Sequence, residues 1–279
     1  MERPAQAALI TLGAAALAAV LVPALSHVDP LAIEDVLATR LVPPFAHDSA
    51  GHLHLLGTDR FGRDLLVRTL LAARISMAVG IAGSLIATCV GVVVGAVSGW
   101  YGGVVDRALM RTTDALLAIP RLVLLLLCVA LWAPGLGTVI IVLAATGWMS
   151  VARLVRAEVQ GLVRAGFVDA SRTLGARGLR TLIHHVVPNA TGSATVAATL
   201  GVGNAILLES GLAFLGLGVQ PPTPSWGNMI AGGRDLIVTA PWIALAPGLA
   251  LILTVLLCTV IGDALRSSVR DIALVRERG

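Results

Sequence analysis

The sequence predicts an all-α polytopic membrane protein with about six transmembrane helices. Three observations predict it. Of 279 residues, 57% are hydrophobic and only 13% are charged, against about 25% charged in soluble domains. The mean hydropathy is +0.89. Apolar runs of about 20 residues, enough to cross roughly 30 Å of hydrocarbon, recur along the chain. The 30 glycines suit close helix packing in lipid.

The first expected span covers residues 7–26. Its apolar run exceeds that of a cleaved signal peptide, about 7–15 residues, so it is read as retained. A long outer loop (27–74) follows, with Pro30, Pro43 and Pro44. Beyond Gly62, Leu65, Leu66, Leu70 and Ala73 recur at helical spacing. They predict an amphipathic helix capped by Thr58 or Asp59 and leading into a second span at 75–99. The third span is expected at 113–133, with Asp114 and Arg121 toward its start. The fourth, at 137–152, continues into an amphipathic extension. Val151, Leu154, Val155, Glu158, Val159 and Leu162 line one of its faces. The fifth and sixth spans are expected at 190–216 and 242–265. Three regions result: 1–74 with the first span and outer loop, a membrane core at 75–265 holding a polar loop at about 152–189, and a tail at 266–279.

All twenty basic residues are arginine. With the N-terminus in the cytoplasm, thirteen fall inside and six outside, leaving Arg121 within the third span. That bias predicts cytoplasmic N- and C-termini. The absence of lysine excludes a P-loop, whose phosphate cradle ends in Lys, and excludes lysine nucleophiles. Cys89, Cys128 and Cys258 stand alone in apolar runs, so neither a zinc site nor a disulfide framework is indicated. No Ser/His/Asp arrangement stands out, and arginines without interleaved aromatics do not suggest nucleic-acid binding. His47, Asp48, His52 and His54 are metal-ligand types, but their spacing matches no established motif, and no metal site is assigned.

The stretch 167–189 is a polar, arginine-bearing insert. Phe167 to Arg172 reads as a short helix, Gly175 ends it, and Leu179, Leu182, Ile183 and Val186 form a second helix that closes at Pro188-Asn189. A helix–Gly–helix is a lever with a docking surface. The simpler alternative is a basic loop that obeys the positive-inside rule.

Asp169-Ala170-Ser171, Gly175, His185 and Val187-Pro188 keep the spacing of the coupling loop of ABC-importer permeases. The residue types differ from the usual Glu, Ala, Ile and Leu at Asp169, Ser171, His185 and Val187. His185 to Asn189 is similar to the peptide-transport branch, as are Leu56 to Asp64 and Phe214 to Gly227. The chain therefore resembles the C-type subunit of the dipeptide/oligopeptide permease family. Its tail departs from the family pattern after Arg266.

The resemblance implies a type I ABC importer permease fold in a bacterial inner membrane. It also implies a second homologous permease, two ATP-binding subunits, an extracytoplasmic solute-binding protein and peptide cargo. The chain itself would be non-enzymatic and without cofactor, ATP and Mg²⁺ belonging to the partner ATPases. Coupling would run through residues 165–180, with Phe167 as a hydrophobic anchor, Asp169 and Arg172 as charged contacts, Ala170 and Ser171 in the docking helix, Gly175 at the bend and Pro188 beyond it. Nickel or glutathione import by the same machine, an ion-coupled secondary carrier and a membrane enzyme are the alternatives. Glu209 is a candidate for the translocation path or for a packing role, and Asp114 and Arg121 for snorkelling.

Overall fold

The computed structural model describes residues 3–25, 36–173 and 178–278, with backbone alone at 3, 24–25, 37–38, 172 and 269–278. Helix α1 (Arg3–Leu25) is followed by α2 (Val36–Thr39) and a hairpin of β1 (Ala46–His47) and β2 (Leu53–His54). Then come α3 (Leu65–Tyr101), α4 (Gly103–Leu117), α5 (Arg121–Ala130), α6 (Leu136–Val163), α7 (Gly166–Thr173) and α8 (Gly178–Thr181). A π-helical turn (Leu182–Val186) leads into α9 (Val187–Phe214). Last are α10 (Trp226–Gly233), a 3₁₀ turn (Arg234–Leu236) and α11 (Trp242–Arg278). Among the described residues, five segments are long and apolar enough to cross a membrane: α1, α3, α6, the run from α8 through α9, and α11. A sixth exists if α4 and α5, bent by 89° to each other, form one broken span.

That break corrects the expected third span at 113–133. Pro120 caps α5, and a proline disfavours helical geometry in the residue before it. α4 carries Asp106, Arg107, Arg111 and Asp114 on its polar side, so it is not a continuous apolar span. The ten residues of α5 reach only about 15 Å.

Two further boundaries differ from expectation. The loop helix and the second span are one helix, α3, capped not by Thr58 or Asp59 but by Asp64, whose side chain accepts from Val67 N–H. Asp59 instead closes the turn ahead of it, accepting from the N–H groups of Phe61 and Arg63. Pro188 does not end a helix either. The chain passes it through the π-helical turn, where Val187 N–H donates to Leu182 O, five residues back. The Asn189 side chain donates to His185 O at 2.6 Å. A π-turn absorbs the missing proline N–H without a break.

The densest packing lies between α3 and α6. A Cβ at Gly91, Gly95 or Gly99 would meet, respectively, the Val151 side chain at 2.6 Å, Ala152 O at 2.5 Å, or Arg156 O and Val159 Cβ at 2.9 Å. Glycine every fourth residue lets the backbones touch, which is how helices associate where lipid competes for apolar contacts. Two Arg–Asp pairs hold α4 to α6. Arg156 donates bidentately to Asp106 at 2.5 and 2.7 Å, and Arg153 pairs with Asp114.

Large apolar side chains point outward along the spans, as at Val93, Ile141, Leu249 and Leu256, while Ser76, Ser84, Thr146 and Glu209 are buried. This inverted pattern suits a hydrocarbon solvent.

At the hairpin end of the bundle, polar side chains tie residues 39–64 into a cap. Thr58 Oγ1 donates to Thr39 O at 2.6 Å and accepts from Val42 N–H. Trp242 Nε1 donates to Thr58 O. Gly57, at φ +79°, sits against Val42 O and the Trp242 ring with no room for a side chain. The His54 ring bridges Asp64 at 2.8 Å and Asp48 at 3.4 Å. Burial works against the Asp48 carboxylate, yet hydrogen bonds from the His52 backbone, the His54 and His52 rings and the Ala50 N–H lower its pKa to about 2.

Candidate coupling surface and membrane cavity

At the opposite end, the last turns of α6 lead into α7. Val155 and Val159 on α6, Val168 on α7, Leu182 and Val186 in the π-turn and Ala190 on α9 form one buried cluster, flanked by Trp100, Leu162 and Phe167. Within α7 the fully buried anchor is Val168. Phe167, expected as the hydrophobic anchor for a partner, is partly buried against this cluster.

Burying Val168 turns the opposite face of α7 outward. Asp169, Ala170 and Thr173 are exposed, and Thr173 Oγ1 donates to Asp169 O at 2.9 Å. Ser171 lies within hydrogen-bond distance of the buried Thr181 hydroxyl, at 3.1 Å, tying α7 to α8. Arg172 lies in α7, but its side chain is not described, and Gly175 lies outside the described residues. Pro188 is exposed near the start of α9. Leu179 and Ile183 are more than half exposed.

Glu209 lies near the hairpin end of α9 and is fully buried. Its Oε1 accepts from Ser225 Oγ at 2.8 Å, and Oε2 has longer contacts of 3.5 Å with Ser76 and Ser210. Ser225 is the N-cap of α10 and forms a reciprocal capping box with Asn228. Ser76 Oγ accepts from Trp226 N–H, and Trp226 Nε1 donates to Thr69 O. The carboxylate therefore joins α10 to α3 and α9 rather than facing an opening.

Two of the three histidines around the hairpin are likewise engaged locally. His52 and His54 contact Asp48, and His47 is exposed on β1. Among the described residues no group of three or more His, Cys, Asp or Glu side chains is placed to hold a metal ion.

Sequence reasoning did not find a cavity of about 440 Å³ between α3, α5, α6 and α9, lined by Ser84, Thr88, Arg121, Gly147, Ser150 and Asn204 among others. The signal was an arginine within an apolar run with no acidic residue three or four positions away.

A protein-family comparison matches residues 91–271 to the binding-protein-dependent transport system inner membrane component. The chain belongs to that family. Membership makes it a multi-pass component of a membrane transport system. Relatives include the oligopeptide transport system permease protein OppC of Bacillus subtilis (strain 168), 42% identical over 77% of this chain and 70% of that one. A putative peptide transport system permease protein of Brucella suis biovar 1 (strain 1330) is 39% identical over 92% of this chain and 84% of its own length. The dipeptide transport system permease protein DppC of Bacillus subtilis is 39% identical over 85% and 72%. A chain from an inward-facing structure of the MetNI methionine ABC transporter superposes with a TM-score of 0.58. It is 19% identical and covers 74% of this chain and 96% of that one. The fold is that of an ABC importer permease.

Proposed function

We propose that this chain is a non-catalytic permease subunit of an ATP-driven peptide importer. It pairs with a second permease around one path, receives cargo from an extracytoplasmic binding protein and docks α7 in a cleft of one of two ATPase subunits, where ATP and Mg²⁺ are bound. Peptide cargo is supported by the names of the relatives and by the motifs at 56–64, 185–189 and 214–227.

The observation that carries the docking surface is the division of α7. Val168 is sealed into the cluster shared with α6 and α9, while Asp169, Ala170 and Thr173 face outward just beyond the C-terminal end of α6. A force on that face is passed through packed side chains to two spans. Closure of the ATPases would draw the coupling helices of both permeases together and rock the spans between inward- and outward-facing states. The arginine distribution supports an orientation with the α7 end and both termini in the cytoplasm and the hairpin end outside.

The test is Ala170→Arg in the complete transporter reconstituted in vesicles. ATP-dependent peptide uptake should fall at least about tenfold, the effect of losing roughly 1.4 kcal/mol of docking. ATPase subunits should also be lost from the purified complex. Unchanged uptake with full ATPase retention would sink the docking reading. Transport by the chain without ATPase subunits would reject the importer reading altogether.

A further inference from the structure

Arg121 opens α5 at the helix break, and its guanidinium reaches into the cavity between α3, α6 and α9. Its Nη2 lies 3.1 Å from the position a Cβ on Gly147 would take, so the glycine makes room for it. Its Nε is buried and has no hydrogen-bond partner among the described residues. No carboxylate among them pairs with it, and none lines the cavity. Arg63, Arg153 and Arg156, by contrast, are each matched with an aspartate.

The depth of this cation matters. Gly147 lies about 16 Å along α6 from its start at Leu136, and Asn204 about 15 Å from the end of α9, at 1.5 Å per residue. Both are near half of the roughly 30 Å hydrocarbon thickness. That depth separates the guanidinium from headgroup phosphates at either surface. A charged side chain at such depth is costly and faces a water-filled path or a partner group. The hydroxyls of Thr88 and Ser150 and the amide of Asn204 give the same cavity neutral donors and acceptors. Its volume falls in the range of small-molecule sites, about 300–1,000 Å³.

We propose that Arg121 is an anion anchor in the transport path, taking a carboxylate of the cargo at mid-membrane. For a peptide this is the C-terminal carboxylate, held by the fork of guanidinium N–H donors, with Asn204 and Ser150 beside it. The carboxylate class rests on the unpaired cation, and its assignment to a peptide rests on the function proposed above.

Two measurements test it, each on the complete reconstituted transporter. The first compares uptake of a tripeptide with that of its C-terminal amide in the unaltered protein, Arg121→Gln and Arg121→Lys. The free acid should be preferred about tenfold, the size of one charge-assisted pair. Arg121→Gln should abolish the preference and Arg121→Lys should restore part of it. The second reads the cavity without reference to cargo. In a background lacking Cys89, Cys128 and Cys258, Asn204→Cys is reacted with a negatively charged sulfonate thiol reagent and a positively charged trimethylammonium one. The anionic reagent should be favoured, and adding Arg121→Gln should lower the rate ratio by about tenfold.

An acid-over-amide preference that survives Arg121→Gln overturns the proposal, as does a reagent ratio indifferent to Arg121. If the unaltered transporter moves neither peptide while the reagent ratio still depends on Arg121, the anion anchor stands and the peptide reading fails.

Discussion

Glu209 shows how one side chain can organise the hairpin end of a membrane bundle. Its carboxylate accepts from Ser225, which caps α10, and lies against Ser76, which in turn accepts from Trp226 N–H. Removing the carboxylate leaves buried hydroxyls without an acceptor, a loss of about 1–3 kcal/mol. Glu209→Leu should therefore lower the thermal midpoint of the detergent-purified protein and expose the α10 segment to protease. Glu209→Gln keeps an acceptor oxygen and should lose less. Equal midpoints for both variants and the unaltered protein would contradict this role. Ser171 matters in a similar local way, since its hydroxyl meets Thr181 and fixes α7 against α8.

Among the elements, the α3–α6 pair is the frame on which the other helices are hung. Its seam depends on Gly91, Gly95 and Gly99, where a side chain would strike backbone carbonyls or valine side chains of α6. Gly95→Val should separate the two helices and cost about 1–3 kcal/mol, seen as a lower thermal midpoint. Gly102, at the end of α3 with open space around it, is the control: Gly102→Ala should act only through its φ of +60°. The abundance of glycine in the sequence suited such packing, but the seam at Gly91, Gly95 and Gly99 was located only by the structure. The broken α4–α5 unit was not legible in sequence either. Its apolar composition in α5 reads as a span, and the 89° bend depends on Pro120 together with the polar side of α4 held by Arg153 and Arg156.

For the whole molecule, the bundle has two polar ends of different character. The hairpin end is knitted by side-chain hydrogen bonds into a cap over the spans. At the α7 end, a short helix is anchored by a buried valine and presents an exposed face. Membrane sidedness follows from the proposed orientation. In a background free of native cysteine, Ser49→Cys should react with an impermeant maleimide added to intact cells, and Ala170→Cys only after permeabilisation. The reverse labelling would invert the topology.

Hydropathy and arginine placement were enough to read an all-α membrane protein, most of its spans and the site of its polar loop, because those properties depend on composition and period along the chain. Lack of lysine was enough to exclude a P-loop. The motif spacing from Asp169 to Pro188 was enough to locate the loop that carries α7. Packing across helices settled the rest. Val168 rather than Phe167 is the fully buried residue of α7 because the α6, π-turn and α9 side chains close over it. Pro188 sits within a continuous helix because a π-turn absorbs its missing N–H. Glu209 is enclosed, and Arg121 left in a cavity without an acidic partner among the described residues, because elements far apart in sequence decide which polar groups meet.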